Sequence, residues 1–369
     1  MSTTGPHCAS ARGRVAASVT GPEQVPSRVG ARERRLLRAD VSWGDRLLRA
    51  FCTAAACVPL LLLGALAVVL LVNAWPAIIF NGWSFFTGHV WTLGNLYGGA
   101  YEYHHGIKAA HNARFGAATL IVGTLATSAI ALVVALPVAV GGVLMLVERV
   151  PQRLQGLLSV FMELLAGIPS VVYGLWGLII FGPLMARSVY PLLAHLLGWT
   201  KVFAGPVGSG PGLLTAGLVL ALMVIPIIAA TTRDLVRTVP VLHKEGALVL
   251  GMTRYEMTRV VTLPFVRNGI FAAALLGWGR ALGETMAVLM ISGNALNIFP
   301  GNIYAPVSTI AATIAAMLDS ALTDATGMGV RALAEAGLVL LAITLITNWL
   351  GRFIVRRTSG AALPVGRGF

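Results

Sequence analysis

Charge is scarce in this chain, and lysine scarcer still. Charged residues make up 11% of the 369 residues against 57% hydrophobic ones, and the mean hydropathy is +0.81. A soluble domain is roughly one quarter charged and about half apolar, so most of this surface must meet lipid. The three lysines, Lys108, Lys201 and Lys244, follow isoleucine, threonine and histidine, never glycine. The glycine–lysine step of a phosphate-cradling nucleotide loop is therefore excluded, and if ATP drives the protein a partner must bind it. Cysteine is also short: Cys8, Cys52 and Cys57 are too few and wrongly spaced for a zinc site or a disulfide framework. Cys52 and Cys57 read as small apolar residues of a first membrane helix, and nothing in the chain calls for a metal or cofactor. The net charge of +13 raises nucleic acid as a partner, but its basic residues lie between apolar runs instead of forming one stripe, so that partner is set aside.

What the chain has in abundance is long apolar runs. Residues 1–45, rich in Arg, Gly, Ser and Pro, carry no apolar periodicity and read as a disordered basic tail. No cleavable signal peptide is expected, because the first run is long enough to span and lacks a small-residue cleavage site after it. A bilayer core of about 30 Å needs about 20 apolar residues per helix. Six stretches qualify, at 50–72, 117–146, 157–183, 213–231, 269–292 and 332–354. The run 305–322 is shorter, contains Asp319 and reads as an interfacial or re-entrant helix, a seventh span being the other reading. The organisation expected is a tail (1–45), a first membrane helix (46–72), an external segment (73–116), a five-helix core (117–357) and a second tail (358–369).

Alternate inter-span segments differ sharply in positive charge. One set, which includes both termini, holds twenty-one Lys and Arg residues, and the other holds five. Cytoplasmic segments keep positive charge, so both termini are expected in the cytoplasm, which requires an even number of spans and agrees with six.

The segment 232–268 is then the only sizeable internal cytoplasmic loop. It reads as two short helices: Gly251 ends the first, Thr253 and Glu256 form a T-x-x-E capping box for the second, and Pro264 closes that second helix near the next span. The series Glu245-Gly246-Ala247, three residues, Gly251, nine residues, Val261-Thr262-Leu263-Pro264 resembles the EAA loop of ABC importer permeases, departing from it by Gly246 for Ala and Val261 for Ile. The resemblance implies that the loop seats in an ATPase subunit and passes its closure to the membrane helices. An ordinary solvated loop is the alternative.

Arg280 lies in the apolar stretch 270–291, where a charge costs a few kcal/mol. Glu284 follows four residues later, on the same face of a helix, and can pair with it. Gly279 and Gly283 form a small-x-x-x-small step that lets a neighbouring helix come close. Two readings stand. The pair only neutralises itself and fixes a helix contact, or it lines a polar path in which the arginine fork meets an oxyanion. A carboxylate there suits phosphate, which keeps a proton near neutral pH, and repels sulfate, which does not.

The run Gly279-Arg280-Ala281-Leu282-Gly283-Glu284-Thr285-Met286-Ala287-Val288, then Gly293-Asn294, is similar to the C-type permease family of bacterial phosphate-specific ABC transporters. Supporting it are Glu163–Gly174 in the third span and Gly123-Thr124-Leu125 with Ser128 in the second; the resemblance covers residues 45–357. It implies an all-α, polytopic membrane protein of six transmembrane helices with a type I ABC importer permease (MetI-like) core, in the bacterial plasma membrane. It further implies a phosphate path through Arg280, Glu284 and Thr285, and ATPase coupling through Glu245, Gly246, Ala247, Gly251, Leu263 and Pro264. The implied partners are an ATPase subunit dimer, a homologous second permease subunit, an external phosphate-binding protein and inorganic phosphate. Rival readings are a permease for sulfate or molybdate and an ion-coupled secondary transporter, in which the EAA-like loop has no purpose. An intramembrane hydrolase is weaker still, since no serine–histidine or metal-ligand pairing recurs within the spans.

Pro137, Pro169 and Pro226 are each expected inside a span, as kinks near a path or as simple packing. Glu163, about two turns into the third span, either snorkels or pairs. His104, His105 and His111 are expected to be solvated, and Trp75, Trp83, Phe85, Phe86 and Trp91 to form an interface belt.

Overall fold

The computed structural model describes residues 43–95 and 101–359. The tail 1–45 therefore lies almost wholly outside the described residues, as does most of 358–369. Among the described residues six helices are long and apolar enough to cross a membrane. They are α1 (Trp43–Asn81), α3 (Ala118–Arg149), α5 (Ser170–Leu197), α6 (Leu213–Arg237), α8 (Arg254–Leu282) and the Met328–Val355 part of α11 (Met328–Ser359). Helices are what lipid demands, since a chain with no water beside it must satisfy its backbone groups within each segment. Shorter helices complete the chain: α2 (Ser84–Thr87), α4 (Gln152–Gly167), α7 (Val241–Val249), α9 (Met286–Ile291) and α10 (Ile310–Leu322).

The chain divides into two units at Gly64. In the first, residues 43–64 are exposed throughout and carry Leu47, Leu48, Phe51, Leu60, Leu61 and Leu62 on their surface, which suits lipid and not water. The second unit, Ala65–Phe369, holds the core. Ala131, Ala135, Ala139 and Val143 recur every four residues along α3, so one face of that helix is a stripe of small side chains. Leu220, Ala221, Val224 and Ile228 of α6 pack on it, with Ala273 and Ala281 of α8 closing the cluster. Among the glycines of α8 the close approaches fall at Gly269, against Leu235, and at Gly277, against Val224 and Ile228. They do not fall at the expected Gly279 and Gly283. Gly279 faces the Asn348 amide at ordinary contact distance, and a side chain at Gly283 would meet only carbonyls of its own turn.

Several expectations about the spans are corrected. The third span is not 157–183: α4 ends at Gly167, Ile168 and Pro169 are extended, and the spanning helix starts at Ser170. Hydropathy runs through this break, whereas proline bars its predecessor from helical geometry, so Pro169 caps α5 instead of kinking its interior. Pro137 and Pro226 do lie inside α3 and α6. The fifth span starts earlier than expected because Arg254–Leu282 is one continuous helix. Pro264 does not end a second short helix; a π turn at Thr258–Thr262 widens the backbone just ahead of it, where a proline ring would otherwise crowd the preceding turn. At its far end α8 stops at Leu282, short of the expected 292, and α9 begins after a three-residue break. The 305–322 run contains α10, 13 residues and thus about 20 Å long, too short to cross alone.

Segment 73–116 continues α1 to Asn81 and then forms two small antiparallel sheets. Strands β1 (Trp91–Thr92) and β4 (Arg114–Phe115) pair, and β2 (Tyr101–His104) with β3 (Ile107–Ala110) makes a hairpin. His105 and Gly106 both have positive φ, the two-residue turn that matches strand twist. Phe85 and Trp91 are not part of an interface belt: both are buried, Trp91 packing edge-on to Phe115 at 5.5 Å. Trp75, Trp83 and Phe86 are exposed. The exposed His104 and His111 flank Glu102, at 3.4 and 4.0 Å.

Candidate functional site

The break between α8 and α9 begins at Gly283. At Gly283 the backbone leaves helical geometry (φ −92°, ψ 2°), with its N–H still donating to the Arg280 carbonyl at 3.2 Å. Glu284 and Thr285 then bridge to α9, where Leu289 N–H donates to the Thr285 carbonyl at 2.9 Å. Arg280 Nη2 lies 3.9 Å from Glu284 Oε2, a charge contact too long for a hydrogen bond. The two side chains differ in surroundings: that of Arg280 is 51% exposed and that of Glu284 8%. The Thr285 hydroxyl donates to the Gly283 carbonyl at 3.3 Å, so all three residues read from the sequence meet at one break. The pair is thus not two neighbours on one helical face; the break sends the carboxylate inward and leaves the guanidinium half open.

A cavity of about 530 Å³ lies elsewhere, in the 80–116 region, lined in part by Phe80, Asn81, His89, Glu102 and Arg114. None of the three residues at the break borders it.

The second cluster is the helix pair of segment 232–268. The first helix ends in a Schellman motif: Met252 N–H donates to the Ala247 carbonyl at 3.2 Å and Gly251 N–H to the Leu248 carbonyl at 3.0 Å. The motif needs a left-handed residue, and Gly251 supplies it at φ +86°. The second helix opens with the expected capping box, Thr253 N–H donating to Glu256 Oε2 at 2.8 Å and Glu256 N–H to Thr253 Oγ1 at 3.3 Å. Ala247 is buried under the turn, while Glu245, Gly246 and Gly251 are exposed. Leu263 packs on the main core and Pro264 follows it in the same turn of α8. Leu242, Val249 and Leu250 project from the tip, almost fully exposed.

Sequence reasoning missed what fastens this pair. Glu148, at the end of α3, accepts from Lys244 Nζ at 2.7 Å and from the Thr262 hydroxyl at 3.4 Å. Its partners lie 96 and 114 residues away, so no local spacing announces it. Glu163 pairs with Arg233 at 3.4 Å, settling its role as a paired residue. A further buried pair, Asn81 Nδ2 donating to Glu335 Oε2 at 2.8 Å, joins α1 to α11.

A family model described as the binding-protein-dependent transport system inner membrane component matches residues 138–360. The phosphate transport system permease protein PstC 1 of Mycobacterium tuberculosis is 54% identical over 316 residues, 85% of this chain and 93% of the relative, and that of Mycobacterium bovis matches equally. The PstC of Mesorhizobium japonicum is 38% identical over 317 residues, covering 85% and 90%. A solved chain of the MetNI methionine ABC transporter, facing inward, is 18% identical with a TM-score of 0.43, covering 64% of this chain and 91% of its own.

Proposed function

This chain belongs to the binding-protein-dependent inner membrane transport components and, among them, to the PstC-type permeases, and from that membership we propose that it is the membrane-spanning subunit of an ATP-driven importer of inorganic phosphate. It is a multi-pass membrane protein and a transport subunit, not an enzyme. In the proposed assembly it pairs with a homologous permease, rests on an ATPase dimer and receives phosphate from an external binding protein. Both termini and segment 232–268 face the cytoplasm, a reading supported by the twenty-one to five bias in basic residues.

The observation that carries the substrate reading is the half-open guanidinium of Arg280 beside the buried carboxylate of Glu284 at a helix break. Arginine offers a planar fork of donors that fits two oxygens of a tetrahedral oxyanion and does not lose its charge. Glu284 keeps the arginine soluble in the span and accepts a proton-bearing phosphate oxygen, while it repels an unprotonated sulfate. The Thr285 hydroxyl adds a group that donates or accepts as needed. Exposed leucines and valine at the tip of the helix pair support docking in an ATPase groove, since an apolar tip in water is costly without a partner. Glu245 and Gly246 lie on that exposed surface. Ala247, Gly251, Leu263 and Pro264 fix its shape and its join to α8.

The test is reconstitution of the chain with its second permease, ATPase and binding protein in proteoliposomes. Phosphate uptake should require ATP and withstand excess sulfate. Uptake driven by an ion gradient without ATP, or equal uptake of sulfate, would overturn the proposal.

A further inference from the structure

Glu148 stands in an unfavourable place. It is one residue from the end of α3, where the helix dipole is negative and a carboxylate is repelled. Its side chain is only 10% exposed, so water does little to relieve it. What holds it is the helix pair of segment 232–268. Lys244 Nζ, itself 17% exposed, donates to Oε1 at 2.7 Å from α7, and the Thr262 hydroxyl donates to the same oxygen at 3.4 Å from the π turn of α8. The Glu148 backbone carbonyl accepts from Arg254 Nη1 at 3.5 Å, at the very start of α8. One residue of α3 therefore grips both arms of the pair, and Lys244 is the immediate neighbour of Glu245. The ion pairs that Arg233 makes with Glu163 and Asp234 are 61% and 70% exposed on their acid sides and are screened. A buried charge cannot be left behind when its partner moves, because separation strands it unpaired.

We infer that Glu148 is a positioning residue that makes α3 follow the helix pair, so that displacement of α7 by an ATPase reaches the small-residue stripe on which α6 packs. The inference rests on the coupling role proposed above. It adds a second route into the bundle beside the continuous backbone of α8.

The experiment measures phosphate moved per ATP hydrolysed by the full transporter in proteoliposomes, with co-purification of the ATPase as a control on assembly. In Glu148→Gln the ATPase should remain bound while the ratio falls about tenfold, within the usual range of coupling energies. Lys244→Met should do the same, and the double variant should be no worse than either alone, because both remove one interaction. Lys244→Met leaves α3 unchanged, so it keeps the test open if Glu148→Gln fails to accumulate. The exchanged pair, Glu148→Lys with Lys244→Glu, should recover part of the ratio, which a general loss of stability would not allow. A wild-type ratio in Glu148→Gln and Lys244→Met, or losses that multiply in the double variant, would overturn the inference. Failure of the wild-type chain to hold its ATPase would instead overturn the coupling role on which it rests.

Discussion

Glu284 is buried immediately behind the end of α8, and Arg280, 3.9 Å from it, leaves half its side chain open. An ion pair that serves only to neutralise itself in a membrane gains by closing both ends away from lipid, with hydrogen bonds between them. This one is long and one-sided. The carboxylate is covered, the guanidinium has donors to spare, and the helix stops at Gly283 where the two meet. Broken helices within a span persist where they line a cavity or are buried in protein, and the proposed phosphate path runs past this break.

The tip of the helix pair depends on Gly251, whose φ of +86° is costly for any other L residue and whose N–H closes the Schellman motif. Gly251→Trp should leave the protein in the membrane at normal abundance yet abolish co-purification of the ATPase and phosphate uptake. The milder Gly251→Ala should cost about 1 kcal/mol of local stability through strain alone. Normal ATPase association and uptake in the tryptophan variant would sink the coupling role of the loop.

Orientation rests on charge. An impermeant thiol reagent added to intact cells should fail to label Cys8 and should label it once the membrane is opened. Labelling in intact cells would reverse the proposed topology.

The Asn81–Glu335 bond ties α1 to α11 in a buried position. Asn81→Leu removes the donor and leaves a carboxyl group unsatisfied, which costs about 1–3 kcal/mol, whereas replacing both partners by leucine is nearly neutral. Thermal unfolding in detergent should show a lowered midpoint for Asn81→Leu and recovery in Asn81→Leu with Glu335→Leu. A double variant less stable than the single one would show that the pair contributes more than its own hydrogen bond.

Much of this architecture was legible in composition and spacing, and the failures have local causes. Apolar length gave the number of spans, because lipid imposes one requirement on every helix. It did not give their ends at Pro169, where the chain remains apolar while proline keeps its predecessor out of helical geometry, or at Gly283, where the helix stops inside the expected stretch. The capping box at Thr253 and the stop at Gly251 were readable because caps are chemistry between residues three or four apart. Glu148, Asn81 and Glu335 were not, since each takes its meaning from a partner far along the chain. Gly279 and Gly283 show the complementary error: the spacing is suited to a helix contact, but the contact forms at Gly269 and Gly277, which face α6.

The sharpest test of substrate choice lies in the geometry of the broken helix. If Arg280 grips an oxyanion with two donors, Arg280→Lys keeps the positive charge and loses the planar fork, so uptake should fall at least about tenfold with insertion unchanged. Glu284→Gln asks a separate question. It removes the acceptor for a phosphate proton and keeps the shape of the side chain, so sulfate, excluded from the native protein by charge, should begin to compete. Some phosphate transport should persist, because the arginine fork is still present and has lost only its counter-charge 3.9 Å away. The measurement is phosphate uptake into proteoliposomes with and without excess sulfate, each variant normalised to its membrane abundance. Were Arg280→Lys to transport at the native rate and Glu284→Gln to remain fully selective, the two charges would be structural, and the substrate path would have to run past other side chains of the bundle.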